Sequence, residues 1–149
     1  MKIYTGSDHA GFQLKNHLIS LLQGWGYPVS DQGTNTADSC DYPDYAHAVA
    51  EKVAQDPDSR GLVICGSGIG ISIAANRHPG IRAALCHTEL EARLSREHND
   101  ANVLALGARI IGEELAVHIL RAFLEGQFAG GRHQRRVDKI EYPNHSVKE

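Results

Sequence analysis

The sequence has 149 residues, of which 42% are hydrophobic and 22% charged. These values predict a single globular domain over residues 1–149 that can bury a substantial core. The formal net charge of -3 argues against a nucleic-acid or membrane-surface partner, so we expect a small ligand. No apolar run approaches the ~20 residues of a membrane span. Three cysteines without a CxxC pair, and an amino-terminal stretch without a signal-peptide core, favour the reducing cytoplasm.

Strand-like and helix-like patterns alternate along the chain. Strands are predicted at KIYTG (2–6), YPVSDQG (27–33), GLVICG (61–66), IRAALC (81–86) and NVLALG (102–107). Helices are predicted over 12–26, 45–56, 70–78, 88–99 and 112–128. Five such alternations indicate an α/β protein: a single doubly wound, Rossmann-like domain whose five-stranded parallel sheet carries helices on both faces. Ligands are then expected beyond the carboxyl ends of the strands.

Two termini of predicted elements carry further detail. Thr88, with Glu91 three residues later, has the pattern of a capping box at the start of the fourth helix. The tail after residue 128 begins with a flexible Gly pair and carries Arg132, Arg135 and Arg136, which could clamp a phosphate or remain solvated charges. Residues 143–149 resemble a frayed polar end.

The most informative stretch is CGSGIG, residues 65–70, which follows the third strand. Unpaired N–H groups and the helix dipole at such a strand-to-helix turn attract oxygen anions, and the same field favours a thiolate. Cys65 is therefore either a base, a nucleophile or a small buried hydrophobe, whereas Cys40 and Cys86 are interpreted as packing residues. The loop fits neither the dinucleotide fingerprint nor the P-loop, because Ile71 and Ser72 stand where those motifs need other residues.

Other polar residues lie near predicted strand ends. Asp8 and His9 follow the first strand and should share an edge with Cys65, although Asp8 could instead cap the first helix. His98 lies between the fourth helix and the fifth strand, at the opposite edge of its own sheet. His98 and its neighbours Asn99, Asp100 and Asn102 are therefore either turn residues or parts of the pocket of a second subunit in a symmetric dimer. The nine histidines show no metal-ligand spacing, so no metal is expected.

Five motifs, in order over about residues 1 to 140, resemble the ribose-5-phosphate isomerase type B family, which includes galactose-6-phosphate isomerase subunits and allose-6-phosphate isomerase. They are GSDHAGFQLK, DYPDYA, CGSGIGISIAANR, REHNDANVLALGAR and GGRHQRR. The resemblance implies an aldose-ketose isomerase without metal or cofactor that interconverts ribose 5-phosphate and ribulose 5-phosphate. It also implies homodimers, or dimers of dimers, with shared active sites and with the tail from about residue 130 at the subunit interface.

The resemblance assigns roles to residues of this chain. Cys65 corresponds to the base that moves a proton between C2 and C1, and His98 to the residue that assists ring opening. The substrate-binding positions that it implies are Asp8, His9, Tyr42, Gly66, Ser67, Gly68, Ile69, Gly70, Asn99, Arg109, Arg132 and Arg136. Some branches of the family use as the base a glutamate a few residues further along the helix that follows the glycine loop. Here Ile69, Ile71 and Ile73 occupy that region, which favours the branch that uses cysteine.

Two alternatives stay open at the level of sequence. An isomerase of a six-carbon substrate, allose 6-phosphate or galactose 6-phosphate, would keep Cys65 and His98, because the width of the pocket decides between sugars. A non-catalytic sugar-phosphate sensor would use the same scaffold but would not need a thiol over the reacting carbons.

Overall fold

The computed structural model describes residues 1–142. The strands are β1 (Ile3–Ser7), β2 (Val29–Asp31), β3 (Arg60–Cys65), β4 (Ala83–Leu85) and β5 (Val103–Gly107). The helices are α1 (Phe12–Gly24), α2 (Tyr42–Gln55), α3 (Ile69–Ala75), α4 (Glu89–Asn99), α5 (Glu113–Glu125) and α6 (Arg132–Val137). All strand pairs are parallel, in the order β2-β1-β3-β5-β4. The predicted five-stranded, doubly wound α/β fold is confirmed.

The alternation of side chains along the strands builds two cores. On β3, Leu62 and Ile64 face the layer formed by α1, α4 and α5, whereas Val63 and Cys65 face the layer formed by α2 and α3. Nearly all of β3 and β5 is buried, which explains why their sequences are apolar throughout rather than alternating. The thiol of Cys65 therefore enters the smaller of the two cores at the very end of its strand.

Several element boundaries differ by one to three residues from the sequence prediction. Helix α2 begins at Tyr42 rather than residue 45, because Pro43 occupies the first turn, where a missing N–H costs nothing. Helix α5 ends at Glu125 rather than residue 128, and Arg109 lies in the turn before this helix. The tail contains the short helix α6, which the sequence did not predict. The predicted frayed end, residues 143–149, lies outside the described residues.

The predicted N-cap of α4 at Thr88 is confirmed, whereas the reciprocal bond of the capping box is displaced by one residue. The Thr88 hydroxyl accepts a hydrogen bond from the Glu91 N–H at 3.1 Å. The Glu91 carboxylate in turn accepts from the N–H of His87, one residue before the cap. In the part of the chain that the structure covers, no helix combines the length and apolar character needed to cross a bilayer.

A buried lysine joins α1 to the end of β2. Lys15 is fully buried, and its ammonium donates to both carboxylate oxygens of Asp31, at 2.7 and 2.6 Å, and to the Thr34 carbonyl at 2.9 Å. Three donors thus meet three acceptors. Asp31 also accepts from the Gly33 N–H at 2.9 Å, so this cluster fixes the start of the loop between β2 and α2.

Replacing Lys15 with alanine is expected to lower the free energy of unfolding by about 2–3 kcal/mol, since it leaves Asp31 and the Thr34 carbonyl without their cation. The estimate is at the low end for a buried pair because the Asp31 side chain is 32% exposed and water can replace part of the interaction. Urea unfolding provides the measurement. The matched control is Lys52→Ala on the exposed surface of α2, for which a loss as large as that of the Lys15 variant would contradict the assignment.

Candidate active site

The strand order places a crevice at the carboxyl ends of β1 and β3. The chain leaves β1 toward β2 on one side and leaves β3 toward β4 on the other, so the loops that follow these two central strands diverge. Such a switch point is where ligands bind in open parallel sheets. The loop after β1 carries Asp8 and His9, and the loop after β3 begins with Cys65. The predicted proximity of these two loops therefore follows from the observed topology.

The Cys65 thiol is held at the mouth of the glycine loop. Its Sγ accepts a hydrogen bond from the Gly68 N–H at 3.1 Å, and the residue is only 4% exposed. Gly68 is the N-cap of α3 and has a left-handed backbone with φ of 76°. This hydrogen bond fixes the position of the sulfur beside the glycine loop, at the switch point of the sheet.

The loop after β5 closes against the same glycine loop. The Ala108 N–H donates to the Cys65 carbonyl and the Arg109 N–H to the Gly66 carbonyl, both at 2.9 Å. A Cβ on Gly66 would lie 3.4 Å from Arg109 Nη1, so the guanidinium lies over that glycine. A Cβ on Gly68 would come within 2.9 Å of the Gly107 backbone, which leaves room for glycine only. The Arg109 side chain is exposed above the loop and can reach an anion.

The remaining residues of this edge line the loop from both sides. The Ser67 hydroxyl accepts from the Ile69 N–H at 3.2 Å, and Ile69 is 55% exposed. The ring of Tyr42, in the first turn of α2, packs on Gly70, where an added Cβ would lie 2.7 Å from the phenol oxygen. Tyr42 is therefore beside the glycine loop.

Asp8 and His9 occupy the loop after β1. Asp8 is buried, and its Oδ1 accepts from the Gly11 N–H at 3.1 Å, in the turn that leads into α1. Gly11 itself is the N-cap of α1, so Asp8 serves the turn before the helix rather than the helix cap proper. The Nδ1 atom of His9 accepts from the Cys40 N–H at 3.2 Å, which ties this loop to the loop before α2.

A second group of polar residues lies at the opposite edge of the sheet. His98 is in the last turn of α4, which leads into β5 at Val103. Val103 pairs with Gly61 at the start of β3, whereas Gly107 pairs with Cys65 at its end. Four residues of strand, about 13 Å, therefore separate the level of His98 from that of Cys65. Within one subunit the structure does not bring the predicted base and ring-opening residue together.

Helix α6 completes this second group. His98 stacks on His133 with ring centroids 4.4 Å apart and 11° between the planes. Arg132 and Arg136 lie on the same short helix and are exposed. Desolvation, followed by the charges of His98, Arg132 and Arg136, lowers the pKa of His133 from its ordinary value. Glu97 acts on the His133 pKa in the opposite direction. The two exposed arginines of this group would suit a phosphate.

Two neighbours of His98 hold the turn before β5 together, whereas a third is exposed to ligands. Asp100 has a left-handed backbone, with φ of 45°, and forms ion pairs with Arg82 and Arg96. The Asn102 amide bonds the Arg82 N–H and the Gly80 carbonyl. These two are turn residues. Asn99 is exposed and borders a cleft of about 860 Å³ at this edge.

The Cys86 thiol lies apart from this chemistry. Cys86 is buried in the opposite core, and burial, followed by the charge of Glu91, raises the pKa of its thiol to about 12. Within residues 1–142, no three His, Cys, Asp or Glu side chains cluster closely enough to hold a metal ion.

Sequence reasoning missed three contacts that shape the two edges: the Lys15 ion pair, the Cys40 N–H on His9, and the stacking of His133 on His98. The first two depend on the conformation of the loop before α2. The third depends on α6, whose six residues are too few to show a helical periodicity. Only His133 carried a sequence signal, namely its position between the arginines of the tail.

A glycine loop at the switch point of a doubly wound sheet is a site at which a small ligand binds. A model of the Ribose/Galactose Isomerase family matches residues 3–140, and the chain belongs to this family.

Relatives and solved structures agree with that membership over nearly the whole chain. Ribose-5-phosphate isomerase B of Escherichia coli (strain K12) is 50% identical over 139 residues, covering 93% of each chain. The structure of Clostridium thermocellum ribose-5-phosphate isomerase B is 54% identical and has a TM-score of 0.93. The match covers 94% of this chain and 95% of that one. That of the Mycoplasma genitalium enzyme, with bound ribulose 5-phosphate, is 43% identical with a TM-score of 0.91 and 93% coverage of both chains.

Proposed function

We propose that this chain interconverts ribose 5-phosphate and ribulose 5-phosphate, with Cys65 as the base and His98 assisting ring opening in a homodimer with shared sites. The observation that carries the proposal is the position of the Cys65 Sγ, at the switch point of the sheet and 3.1 Å from a helix-start N–H. The bound ribulose 5-phosphate in the Mycoplasma genitalium structure supports a phosphorylated sugar as substrate.

The proposed reaction is a proton transfer within the sugar. The Cys65 thiolate takes the proton from C2 of the open-chain aldose, giving a cis-enediolate and a thiol. The thiol returns the proton to C1, while the hydroxyl proton of O2 moves to O1, so that the aldehyde becomes a ketone with no net oxidation or reduction. A base near both carbons suffices for this chemistry, and no redox cofactor is required.

The negative charge of the enediolate needs fixed donors. The glycine loop, residues 66–70, leads into α3. Since its glycines have no side chains, a ligand can approach the backbone N–H groups of the loop close to the sulfur. Ser67 adds a hydroxyl at the same turn. Asp8, His9 and Tyr42 surround the loop and can bind sugar hydroxyls.

The opposite edge supplies what this pocket lacks. Within the described part of one subunit, His98 precedes the start of β5, about 13 Å along the strand from the level of Cys65, and it stacks on His133 of α6. A symmetric dimer can place this edge of one subunit over the Cys65 loop of the other. Exposed apolar side chains around the loop support such an interface: Tyr42, Ile69, Ile73 and Ile110 are between 39% and 59% exposed.

A coupled assay with ribose 5-phosphate, allose 6-phosphate and galactose 6-phosphate tests the activity. We expect turnover of ribose 5-phosphate at the highest kcat/KM and the same rate in EDTA. A preference for a six-carbon substrate would replace the proposed substrate, turnover of none would contradict an isomerase of these sugars, and loss in EDTA would contradict the metal-free mechanism.

Replacing Arg136 with alanine is expected to lower kcat/KM by about 10- to 100-fold. A charge-assisted hydrogen bond to the phosphate both increases affinity and holds the reacting carbons in position, so its loss affects both. Steady-state kinetics with ribose 5-phosphate provides the measurement. Arg135→Ala is the matched control, since Arg135 is exposed on the same helix but outside the proposed clamp of Arg132 and Arg136. Equal losses in both variants would indicate a general charge effect and contradict the clamp.

A further inference from the structure

The ring of His9 is held by a backbone donor from another loop. Its Nδ1 lies 3.2 Å from the backbone nitrogen of Cys40, with geometry that makes it the acceptor. A backbone N–H can only donate, so the Nδ1 that receives it carries a lone pair and no proton. In a neutral imidazole the single proton must then be on Nε2.

This hydrogen bond limits what His9 can do. The Nδ1 lone pair is occupied by Cys40, and Nε2 is protonated. The ring therefore has no free lone pair with which to accept a proton from substrate. Its one remaining polar function is an Nε2–H that donates to an oxygen.

The donor is positioned by the buried cluster around Lys15. The Lys15 ammonium, Asp31 and the Thr34 carbonyl fix the start of the loop between β2 and α2, and the Thr34 and Thr36 hydroxyls accept from backbone N–H groups two residues further on. The other end of the loop joins α2 at its N-cap, Asp41, whose carbonyl accepts from the Asp44 N–H at 3.3 Å. Cys40 thus belongs to a segment held at both ends, and its N–H points at His9 before any ligand binds.

We propose that the Cys40 backbone N–H locks His9 in the Nε2–H tautomer, so that His9 acts as a hydrogen-bond donor to a sugar oxygen and not as a base. Cys40 is on this account a positioning residue through its main chain. The kinetic consequence rests on the proposed sugar-phosphate isomerisation, whereas the tautomer is a property of the free protein. The assignment removes His9 as an alternative to Cys65 for the role of base.

Long-range proton–nitrogen NMR spectra of protein labelled with [15N]histidine test the tautomer directly. The His9 resonances are identified among those of nine histidines by their loss in a His9→Gln variant. We expect an unprotonated, acceptor-type Nδ1 and a protonated Nε2 at neutral pH. A protonated Nδ1, or averaging of the two nitrogens, would overturn the inference even if the enzyme is fully active.

A pair of substitutions at residue 40 tests the cause. Cys40→Pro removes the N–H, whereas Cys40→Ala keeps it. We expect the single tautomer to persist in the alanine variant and to be lost in the proline variant, with KM for ribose 5-phosphate about tenfold higher in the proline variant than in the alanine variant. A single tautomer in a folded proline variant would overturn the role of Cys40.

Thermal unfolding of both variants shows whether the proline is tolerated. If it is not, the wild-type spectrum decides the inference alone, because that measurement requires no substitution at residue 40. If the wild type turns over none of the tested sugar phosphates, the proposed function fails while the tautomer can still be measured. The two failures are therefore distinguishable.

Discussion

Replacing Cys65 with serine is expected to lower kcat by about 10³-fold while substrate binding remains measurable. The serine hydroxyl has nearly the volume of the thiol and can still accept the Gly68 N–H, but it is not ionised at neutral pH. The change therefore removes the base and preserves the loop. Single-turnover kinetics and calorimetric binding of ribose 5-phosphate separate the two effects. A rate close to that of the wild type would place the base elsewhere.

Cys86 supplies the matched control for this experiment. Like Cys65 it is a buried thiol near the end of a strand, but it lies in the other core and no glycine loop follows it. Because its pKa is raised to about 12, the thiol stays protonated at neutral pH. Cys86→Ser should therefore keep the wild-type kcat. A comparable loss in both variants would indicate that serine in either core disturbs the fold rather than the chemistry.

The architecture was predictable because its signals are local. The apolar runs of β3 and β5 and the amphipathic helices between strands fix a parallel sheet, and the parallel sheet fixes which loops share an edge. From that rule alone, His98 was placed at the edge opposite Cys65, as the structure has it. The start of α2 was predicted too late, because Asp41, Pro43 and Asp44 have turn composition yet also favour the first turn of a helix.

The contacts that were not predictable are those between elements distant in sequence. A lysine on an amphipathic helix is normally exposed, and nothing in the sequence of α1 shows that Lys15 meets Asp31 beneath the next loop. Likewise, the donor to His9 is a main-chain N–H, so the identity of residue 40 carries no information about it. Both depend on the path of the loop between β2 and α2, which local propensities do not determine.

A purified heterodimer of one Cys65→Ser subunit and one His98→Ala subunit is expected to recover about half of the wild-type activity, although each homodimer is nearly inactive. If each site takes its thiol from one subunit and its imidazole from the other, one of the two sites in this heterodimer keeps both groups. Two different affinity tags allow the heterodimer to be isolated, and its ribose 5-phosphate turnover is compared with that of similarly tagged wild type.

The reciprocal heterodimer carries the same two substitutions on one subunit, paired with a wild-type subunit. With shared sites it should be nearly inactive, because each site then lacks either the thiol or the imidazole. If each site instead takes both residues from one subunit, the outcomes are reversed. The wild-type subunit of the reciprocal heterodimer then keeps a complete site and is active, whereas the first heterodimer has no complete site and is inactive. Since the two species have identical composition and differ only in which chain carries each substitution, effects on stability or expression cannot produce the reversal. Activity in the reciprocal heterodimer and none in the first would contradict the shared site.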